Sequence, residues 1–436
     1  MCPVWEDHGY CPSGITCRWA QSHTQPSDYS QIERPKAEQI PIIELNACPT
    51  VAVAVRKHTY NFNFKPLGPI ISPSPQPLDF HNKLYIAPLT TLGNLPFRRL
   101  CVEFGADVTC SEMVLSKNIL DSRSSEWALL RRHPSERCFG VQIAAGRETE
   151  AAAVCSLLRQ EIVPNFVDLN AGCPMESLRK AGMGSGLMMK TGRLLRVVKT
   201  MLSNLQEIPL VVKTRIGDHA MMTHRLVPQI ENVEGVQGER VHAIVIHGRT
   251  RIDRYSREAN WEYVKECALQ RHARDLQVIG NGDVFDSETY YHHLADGILD
   301  GIMIGRGALI KPWICTEIKE NRVWDISAGE RLEIVRKYVH YGLEHWGSDA
   351  RGVDQTRRFL LEWLSFLWRY VPVGLLDRPQ AMNQRPCCYV GRSDLETLLG
   401  SRKVDDWIRI SEMFLGPVPE GFTFVPKHRS YAYVET

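Results

Sequence analysis

The amino-acid sequence predicts an α/β fold, a TIM (β/α)8 barrel preceded by a short CCCH zinc finger and followed by a small helical bundle. Eight short apolar runs alternate with helix-compatible sequence, three cysteines and a histidine crowd the amino terminus, and helical spacing dominates after residue 328. The 436 residues exceed the roughly 250 that a barrel needs, so additional modules are expected. The predicted segments are a finger at 1–24, a Pro-rich linker at 25–80, the barrel at 81–322, a helical domain at 323–425 and a basic tail at 426–436.

Composition narrows the class of protein. A hydrophobic fraction of 44% and a charged fraction of 23% are ordinary for a soluble globular protein. No apolar stretch approaches the roughly 20 residues that span a bilayer, and the amino terminus lacks the features of a secretory signal. The 13 cysteines are scattered, which favours a reducing compartment, the cytoplasm or the nucleus. The net charge of +2 indicates nothing about nucleic-acid binding.

The first segment contains a complete set of zinc ligands. The spacing is C-x8-C-x5-C-x5-H, and the ligands are Cys2, Cys11, Cys17 and His23. Three thiolates and one imidazole fill a tetrahedral site, so the metal would be structural and would stabilise a segment too short for its own core. The spacing resembles the CCCH fingers of RNA-binding proteins, whose last spacing is usually x3, and His8 is an alternative nitrogen ligand. Three aromatic residues would either stack on unpaired bases or form the small core of the finger: Trp5, Tyr10 and Trp19.

The linker is predicted to run along the next domain without regular structure. Prolines at 66, 69, 73, 75 and 77 favour extended geometry. We expect Phe62, Phe64 and Leu67 to tuck against the barrel or to cover its base.

The barrel follows from runs rich in Val, Ile and Leu that lack polar alternation, because such runs suit strands covered on both faces. The eight runs are 84–88, 106–110, 138–143, 166–169, 210–213, 243–247, 277–280 and 301–305. Polar residues stand at or just beyond every run: Thr90, Glu112, Gln142, Asn170 with Cys173, Lys213 with Arg215, His247 with Arg249, Asn281 with Asp283, and Arg306. Turns are polar in any protein, yet polar residues at all eight ends favour an active site at the carboxyl ends of the strands.

The last two strand ends predict a phosphate site. Asn-Gly-Asp at 281–283 and Gly-Arg-Gly at 305–307 combine close backbone approach with an arginine donor, as the final loops of many barrels do. With Lys213, His247 and Gln142 at the centre, the site suits a flat, polar, phosphorylated cofactor such as FMN. The glycine fingerprint of a dinucleotide fold is absent, so NAD(P)H would visit the site rather than be held in a domain of its own.

Amphipathic spacing between 328 and 399 predicts a small helical bundle whose aromatic residues form its core. Arginines punctuate this part of the chain, among them Arg357 and Arg358, and form either a phosphate footprint or a solvated helix face. The loop after strand six surrounds a tyrosine with four arginines at the barrel mouth: Arg249, Arg251, Arg254 and Arg257. The tail adds the basic triplet at 427–429.

Seven motifs of the barrel together form one pattern. They are Ala87-Pro88-Leu89-Thr90 with Pro96-Phe97-Arg98, Ser111-Glu112-Met113, Asn170-Ala171-Gly172-Cys173-Pro174, Lys213-Thr214-Arg215, His247-Gly248-Arg249-Thr250, Asn281-Gly282-Asp283 and Gly305-Arg306-Gly307-Ala308. From about residue 83 to the carboxyl end, the chain resembles the tRNA-dihydrouridine synthases. It is most similar to the eukaryotic branch that carries CCCH fingers and modifies the variable-loop uridine at position 47, although that branch commonly has two fingers. Leu89 also stands where the family often has methionine.

The resemblance implies reduction of the uridine C5=C6 bond in tRNA by hydride from FMN, which NADPH recharges, with Cys173 as the proton donor to C5. We expect tRNA and NADPH as partners and no membrane, and the sequence gives no evidence of an obligate protein partner. A cysteine near its ordinary pKa of about 8.5 is protonated at neutral pH, as an acid must be. The residues implied to contact FMN are Pro88, Leu89, Thr90, Gln142, Lys213, His247, Asn281, Gly282, Asp283, Gly305 and Arg306. The target base would have to leave its stack, and arginines at the mouth would grip the flanking phosphates.

Two alternatives remain at the level of sequence. A flavin barrel that reduces a small pyrimidine or an enoate needs the same cofactor site, but it leaves the finger and the arginine loop without a role. A non-catalytic RNA-binding protein is the alternative from another class, and retention of Cys173 with Lys213 argues against it.

Overall fold

The computed structural model describes residues 1–64, 78–253, 255–273 and 275–428. The five linker prolines, Leu67, Arg254 and the tail beyond residue 428 lie outside the described residues. Within these ranges, no helix combines the length and the apolar character that crossing a membrane requires.

The amino-terminal segment contains two helices, α1 (Pro3–His8) and α2 (Pro49–Arg56). The sequence predicted only a linker at 25–80, but α2 lies against the barrel, where Val55 is buried and the Ser122 hydroxyl donates to the carbonyl oxygen of Ala52 at 2.7 Å. Of the aromatic residues expected to tuck in, Phe62 packs against the barrel core, whereas Phe64 is 55% exposed.

In the part of the chain that the structure describes, nine parallel strands form one sheet. They are β1 (Leu84–Ile86), β2 (Val108–Cys110), β3 (Val114–Leu115), β4 (Cys138–Ala144), β5 (Phe166–Asn170), β6 (Leu210–Gly217), β7 (Val241–Thr250), β8 (Gln277–Asn281) and β9 (Gly301–Ile304). Because β1 pairs with both β2 and β9, and β2 also pairs with β4, eight strands close into a ring. The predicted barrel is confirmed. The short β3 extends the pairing of β4 beyond the end of β2, and so brief a strand leaves no pattern in the sequence.

Helices surround the ring. They are α3 (Leu95–Glu103), α4 (Ser116–Leu120), α5 (Ser124–Ala128), α6 (Glu148–Leu157), α7 (Glu176–Lys180), α8 (Ser185–Met188), α9 (Thr191–Leu205), α10 (Thr223–Glu231), α11 (Trp261–Ala268), α12 (Ser287–Leu294), α13 (Arg306–Ile310) and α14 (Ile314–Glu320). α3 begins where the Asn94 side chain accepts from the backbone N–H of Phe97 at 3.1 Å, a typical helix cap. α9 buries one apolar stripe, including Leu194, Val198 and Met201, against the barrel.

Aromatic side chains fill the amino-terminal end of the barrel interior. Phe80 and Tyr85 stack with ring centroids 5.4 Å apart, and Phe166 meets both of them edge-on. Gly140 makes room for this packing, because a Cβ at that position would lie 2.2 Å from the Phe166 ring. With one end filled, the space for chemistry lies at the other end, where the strands terminate.

Four helices follow the barrel: α15 (Ala328–Trp346), α16 (Ala350–Leu367), α17 (Asp394–Leu399) and α18 (Val404–Leu415). α15 begins with a capping box in which Ser327 and Glu330 satisfy each other's backbone N–H groups. Trp363 of α16 is buried, and its indole N–H donates to the carbonyl oxygen of Leu309 at 2.9 Å. The helical domain therefore packs directly on the carboxyl end of the barrel.

Candidate active site and zinc finger

A cavity of about 900 Å³ opens at the carboxyl ends of the strands. Its lining includes Cys173 and all eleven residues that the resemblance assigns to the cofactor, namely Pro88, Leu89, Thr90, Gln142, Lys213, His247, Asn281, Gly282, Asp283, Gly305 and Arg306. These residues follow or end different strands and are spread along most of the barrel sequence. Closure of the ring is what brings them into one site.

Cys173 sits on a loop fixed from two sides. The Asn170 side-chain oxygen accepts from the backbone N–H groups of Cys173 at 2.9 Å and Gly172 at 3.2 Å. The carbonyl oxygen of Cys173 accepts from the backbone N–H of Ser185 at 3.0 Å. Burial raises the pKa of the Cys173 thiol above its ordinary value, so the thiol carries its proton at neutral pH.

A chain of amides continues from this loop to the barrel centre. The Asn170 amide donates to the Gln142 side-chain oxygen at 2.9 Å, and the Gln142 amide donates to the Asp168 carboxylate at 2.8 Å. Asp168 is fully buried, and burial raises its pKa to about 6. Sequence reasoning missed Asp168. The available signal was an acidic residue inside an apolar run, two positions before Asn170 and therefore on the same face of β5.

The adjoining part of the wall, from β6 onward, is cationic. The Lys213 ammonium donates to the Asn281 side-chain oxygen at 3.1 Å, and the Asn281 amide donates to the carbonyl oxygen of Met303 at 2.8 Å. Burial lowers the pKa of Lys213 to about 8. Burial, helped by neighbouring cations such as Arg215, holds the pKa of His247 well below its ordinary value, so its imidazole is neutral.

Arg306 forms the predicted phosphate end of the cavity. It donates to Asp283 at 2.8 Å, while its Nη1 is buried and has no hydrogen-bond partner among the described residues. Gly282 has a φ of +141°, and a Cβ there would lie 2.5 Å from the Ala259 side chain. The Tyr255 ring covers the guanidinium of Arg306 at 3.9 Å. A buried, incompletely satisfied guanidinium beside a glycine turn is suited to an oxyanion.

The arginines that were predicted to contact RNA in the loop after strand six differ in how exposed they are. Arg249 is buried, pairs with Asp283 and donates to the carbonyl oxygen of Arg257 at 2.7 Å, so it supports the cavity wall. Arg251 pairs with Asp218, and Arg257 is exposed. Their neighbour at position 254 is outside the described residues.

Arg357 requires a correction. It is 2% exposed, and it donates to the Ser411 hydroxyl at 2.7 Å and to the carbonyl oxygens of Leu415 at 3.2 Å and Gly416 at 2.6 Å. The guanidinium of Arg357 binds these groups at the carboxyl end of α18, so it does not face a phosphate. Arg358 is its neighbour on the outer face of α16 and pairs with Asp354 at 2.9 Å.

The finger ligands lie together. The candidate ligand atoms of Cys2, Cys11, Cys17 and His23 are all within 4.8 Å of one another, and all four residues are buried. Both ring nitrogens of His23 are buried with no hydrogen-bond partner among the described residues, which fits a metal ligand. His8, the alternative, is otherwise engaged, because its ring lies 2.8 Å from the carbonyl oxygen of Ile40 and 3.0 Å from Glu344.

The finger does not project into solvent but docks on the helical domain. The Ser348 hydroxyl lies 3.1 Å from Cys11 Sγ, and the carbonyl oxygen of Ser348 accepts from the backbone N–H of Arg18 at 2.8 Å. Trp5 and Trp19 pack against the apolar cluster that includes this domain. Of the two roles open to these tryptophans, the structure favours the core.

A closed parallel barrel with a polar cavity, an accessible thiol and an arginine pocket at its strand ends defines a TIM-barrel enzyme. Comparison with known proteins then narrows the class. A family model described as dihydrouridine synthase (Dus) matches residues 85–365, well over half of the chain, and the chain belongs to this family. A second model, described as the DUS3L CCCH zinc finger domain, matches residues 1–26.

Curated relatives extend over most of the chain. A protein of Rattus norvegicus named tRNA-dihydrouridine(47) synthase, NAD(P)(+)-like, is 51% identical over 82% of this chain and 54% of its own length. The Homo sapiens protein of the same name is 41% identical over 99% of this chain and 75% of its own length. The chain thus spans about half to three quarters of these relatives. Among solved structures, the old yellow enzyme from Trypanosoma cruzi matches with a TM-score of 0.40 at 10% identity, over 58% of this chain and 93% of that chain.

Proposed function

We propose that this protein reduces the C5=C6 bond of a uridine in tRNA to 5,6-dihydrouridine, with FMN as the resident cofactor and NADPH as the electron donor. The relatives named tRNA-dihydrouridine(47) synthase support position 47 as the target. The observation that carries the proposal is a protonated thiol, Cys173, in the same cavity as the lysine, amides and arginine pocket that suit a phosphorylated flavin.

The residues present fit FMN. Nη1 of Arg306, which has no hydrogen-bond partner among the described residues, suits the phosphate, and Lys213 suits the pyrimidine edge of the ring system. When bound there, FMN in its reduced form would supply the hydride for the C5=C6 bond. Lys213 stabilises negative charge at the pyrimidine edge while it remains protonated. His247 is neutral, so it offers one hydrogen-bond donor and one acceptor there rather than a second positive charge.

Gln142 and Asn170 orient the reacting groups. Because Asp168 accepts from the Gln142 amide, the side-chain oxygen of Gln142 must face Asn170. The Asn170 oxygen is in turn directed to the backbone of Cys173. The carboxylate thus fixes the direction of two amides and the position of the thiol with one set of contacts.

Cys173 delivers the proton to C5 of the uracil ring, and the resulting thiolate is reprotonated from solvent at the cavity mouth. Arg215 stands next to the thiol and is held by the carbonyl oxygens of Gly172 at 2.8 Å and Thr250 at 3.1 Å. The buried guanidinium of Arg215 stabilises the thiolate after the transfer. The uridine must leave its stack to reach this depth, and the exposed Arg257 and Arg358 are available to hold the flanking phosphates.

Zinc is proposed as the structural metal of the finger, held by the three thiolates and His23. It takes no part in the reduction. Its role is to fix the amino terminus on the helical domain, next to the face that would receive RNA.

Mass spectrometry of unmodified tRNA after incubation with the protein, FMN and NADPH tests the proposal. We expect one uridine, in the variable loop, to gain two mass units. Conversion of free uracil or an enoate with intact tRNA left unchanged would favour the small-molecule alternative. Purified protein that neither retains a flavin nor modifies tRNA would favour the RNA-binding alternative.

A further inference from the structure

The chain after α18 returns to the barrel mouth. Residues 422–428, here named the C-terminal strap, alternate in exposure: Phe422, Phe424 and Pro426 are partly buried, whereas the residues between them are exposed. Alternation with a period of two indicates an extended segment with one face against the protein. Phe422 and Phe424 pack against the apolar cluster of the helical domain, so the strap is anchored along its length.

A buried carboxylate fixes the end of the strap. Glu362 of α16 is 3% exposed, and its two carboxylate oxygens accept from the backbone N–H of Lys427 at 3.0 and 3.1 Å. Burying a carboxylate is costly unless it is hydrogen-bonded, so this contact strongly specifies where the backbone of Lys427 lies. The side chain of Lys427 is left to point elsewhere.

Lys427 and His428 line the same cavity as Cys173. The Lys427 ammonium has no ion-pair partner among the described residues, and its charge acts on the largely buried Glu112, whose carboxylate oxygen accepts from the backbone N–H of Thr91 at 2.5 Å. An exposed ammonium on a fixed backbone at the entrance of an active site is suited to an anionic group of the substrate.

The same lysine also borders a second groove, of about 370 Å³, that runs along α16. Arg351 and Arg358 line this groove together with Lys427, and so do Asp354, which pairs with Arg358, and Glu362, which holds the Lys427 backbone. Three cations therefore continue from the cavity mouth across the outer surface of the helical domain. A row of cations matches the repeated phosphates of a polymer better than a single phosphate.

We propose that the C-terminal strap is a binding element for RNA, in which Lys427, supported by His428, contacts the phosphodiester next to the uridine that enters the cavity. Glu362 is a positioning residue that holds Lys427 in place. This inference rests on the proposed function, because it concerns the path of the RNA backbone while the target uridine occupies the cavity. The other source of phosphate at this mouth is NADPH, and the experiment separates the two.

The test uses the full chain and three variants, Lys427→Ala, Lys427→Arg and the control Lys403→Ala, which removes an exposed lysine of the same domain that does not line the cavity. Binding of unmodified tRNA is titrated at several salt concentrations, and reduction of the bound flavin by NADPH is followed separately. We expect Lys427→Ala to weaken tRNA binding about threefold to tenfold and to lower the slope of log K against log salt by about one. Flavin reduction should be unchanged, Lys427→Arg should restore binding, and Lys403→Ala should behave as wild type.

Glu362→Gln supplies a second measurement. It weakens the hold on the strap without removing a cation, so we expect KM for tRNA to rise about twofold to threefold with kcat retained. Wild-type affinity and salt slope in Lys427→Ala would overturn the proposal. A defect confined to flavin reduction would also overturn it, by assigning the lysine to NADPH. Because the titration needs no turnover, it decides the role of the strap even if tRNA is never reduced and the proposed function fails.

Discussion

The barrel cavity and the amino-terminal finger both collect buried polar groups that lack protein partners, but they assemble them differently. The finger takes its ligands from one short segment, Cys2 to His23, and the cavity draws its lining from positions between 87 and 428. His23 is left with two unpartnered ring nitrogens and Arg306 with one unpartnered guanidinium nitrogen among the described residues. Such groups are suited to ligands from outside the chain, a metal such as zinc at His23 and an oxyanion such as a phosphate at Arg306.

The two regions also differ in what stabilises them. The barrel has apolar clusters on both sides of its strands, with most of their members fully buried. The finger has few apolar residues of its own and relies on the metal site and on contacts with Ser348 and Glu344 of the helical domain. We therefore expect loss of a cavity residue to impair catalysis without unfolding the protein, and loss of a finger ligand to unfold the finger without impairing catalysis in the barrel.

Cys173→Ala should give the largest difference between the two regions, because it should affect catalysis in the cavity and leave the finger intact. We expect dihydrouridine formation to slow by about 100-fold or more, the usual contribution of a general acid, because no other thiol lines the cavity among the described residues. Bound flavin, its reduction by NADPH and the zinc content should be retained. The control is Cys387→Ala, which removes a partly exposed thiol outside this cavity. Full activity of Cys173→Ala on unmodified tRNA would remove the thiol from the mechanism.

His23→Ala tests the finger, with His8→Ala as the matched histidine control. Metal analysis should give about one zinc per chain for wild type and His8→Ala, and much less for His23→Ala, because His23 lies with the three cysteines whereas the His8 ring faces Ile40 and Glu344. We expect the finger of His23→Ala to become sensitive to protease while the barrel stays unchanged. Zinc loss in His8→Ala with retention in His23→Ala would reverse the ligand assignment.

Arg357→Ala and Arg358→Ala compare adjacent arginines with opposite environments. Arg357→Ala removes the donor of three hydrogen bonds, two of them buried, so the free energy of unfolding should fall by about 1–3 kcal/mol. Arg358 is half-exposed with a surface ion pair, and its removal should change the free energy of unfolding by less than about 0.5 kcal/mol while weakening tRNA binding. Denaturant unfolding measures the first quantity and tRNA titration the second. Equal stability of the two variants would show that the buried contacts contribute little.

The smallest expected effect is a shift in the pH dependence of turnover. It should arise from the cavity and not from the finger. Lys213 has its pKa lowered to about 8 and acts when protonated, so turnover should decline as pH rises past about 8. The pKa of Cys173 is raised, so the thiol loses its proton only at higher pH. Asp168 raises the pKa of Lys213, and Asp168→Asn should therefore move the decline to lower pH. A pH–rate profile of the variant that overlays wild type would exclude Lys213 as the titrating group.

Much of the cavity could be predicted from sequence because its residues follow apolar runs at fixed offsets. Once eight such runs indicate a barrel, the positions just after them must converge at one end. The finger set was predictable for a different reason, since four ligands between Cys2 and His23 need only a short loop to meet.

Side-chain environment was not predictable from the same patterns. Arg357 and Arg358 are adjacent residues of the same type. Arg357 nevertheless binds the carboxyl end of α18 and Arg358 faces solvent, because burial depends on how the helices pack together. His8 and His23 likewise lie in the same short segment, and they differ because Glu344 of α15, far along the chain, reaches only His8.

The barrel, the helical bundle, the thiol just after β5 and the ligand spacing of the finger could all be inferred from sequence, because periodicity and spacing are local properties. Only the folded structure reveals that Asp168 directs the amides, that the finger docks on the helical domain, and that the C-terminal strap brings Lys427 to the cavity. Each of these depends on contacts between distant segments, and such contacts exist only once the barrel has closed and the helical domain has packed on it.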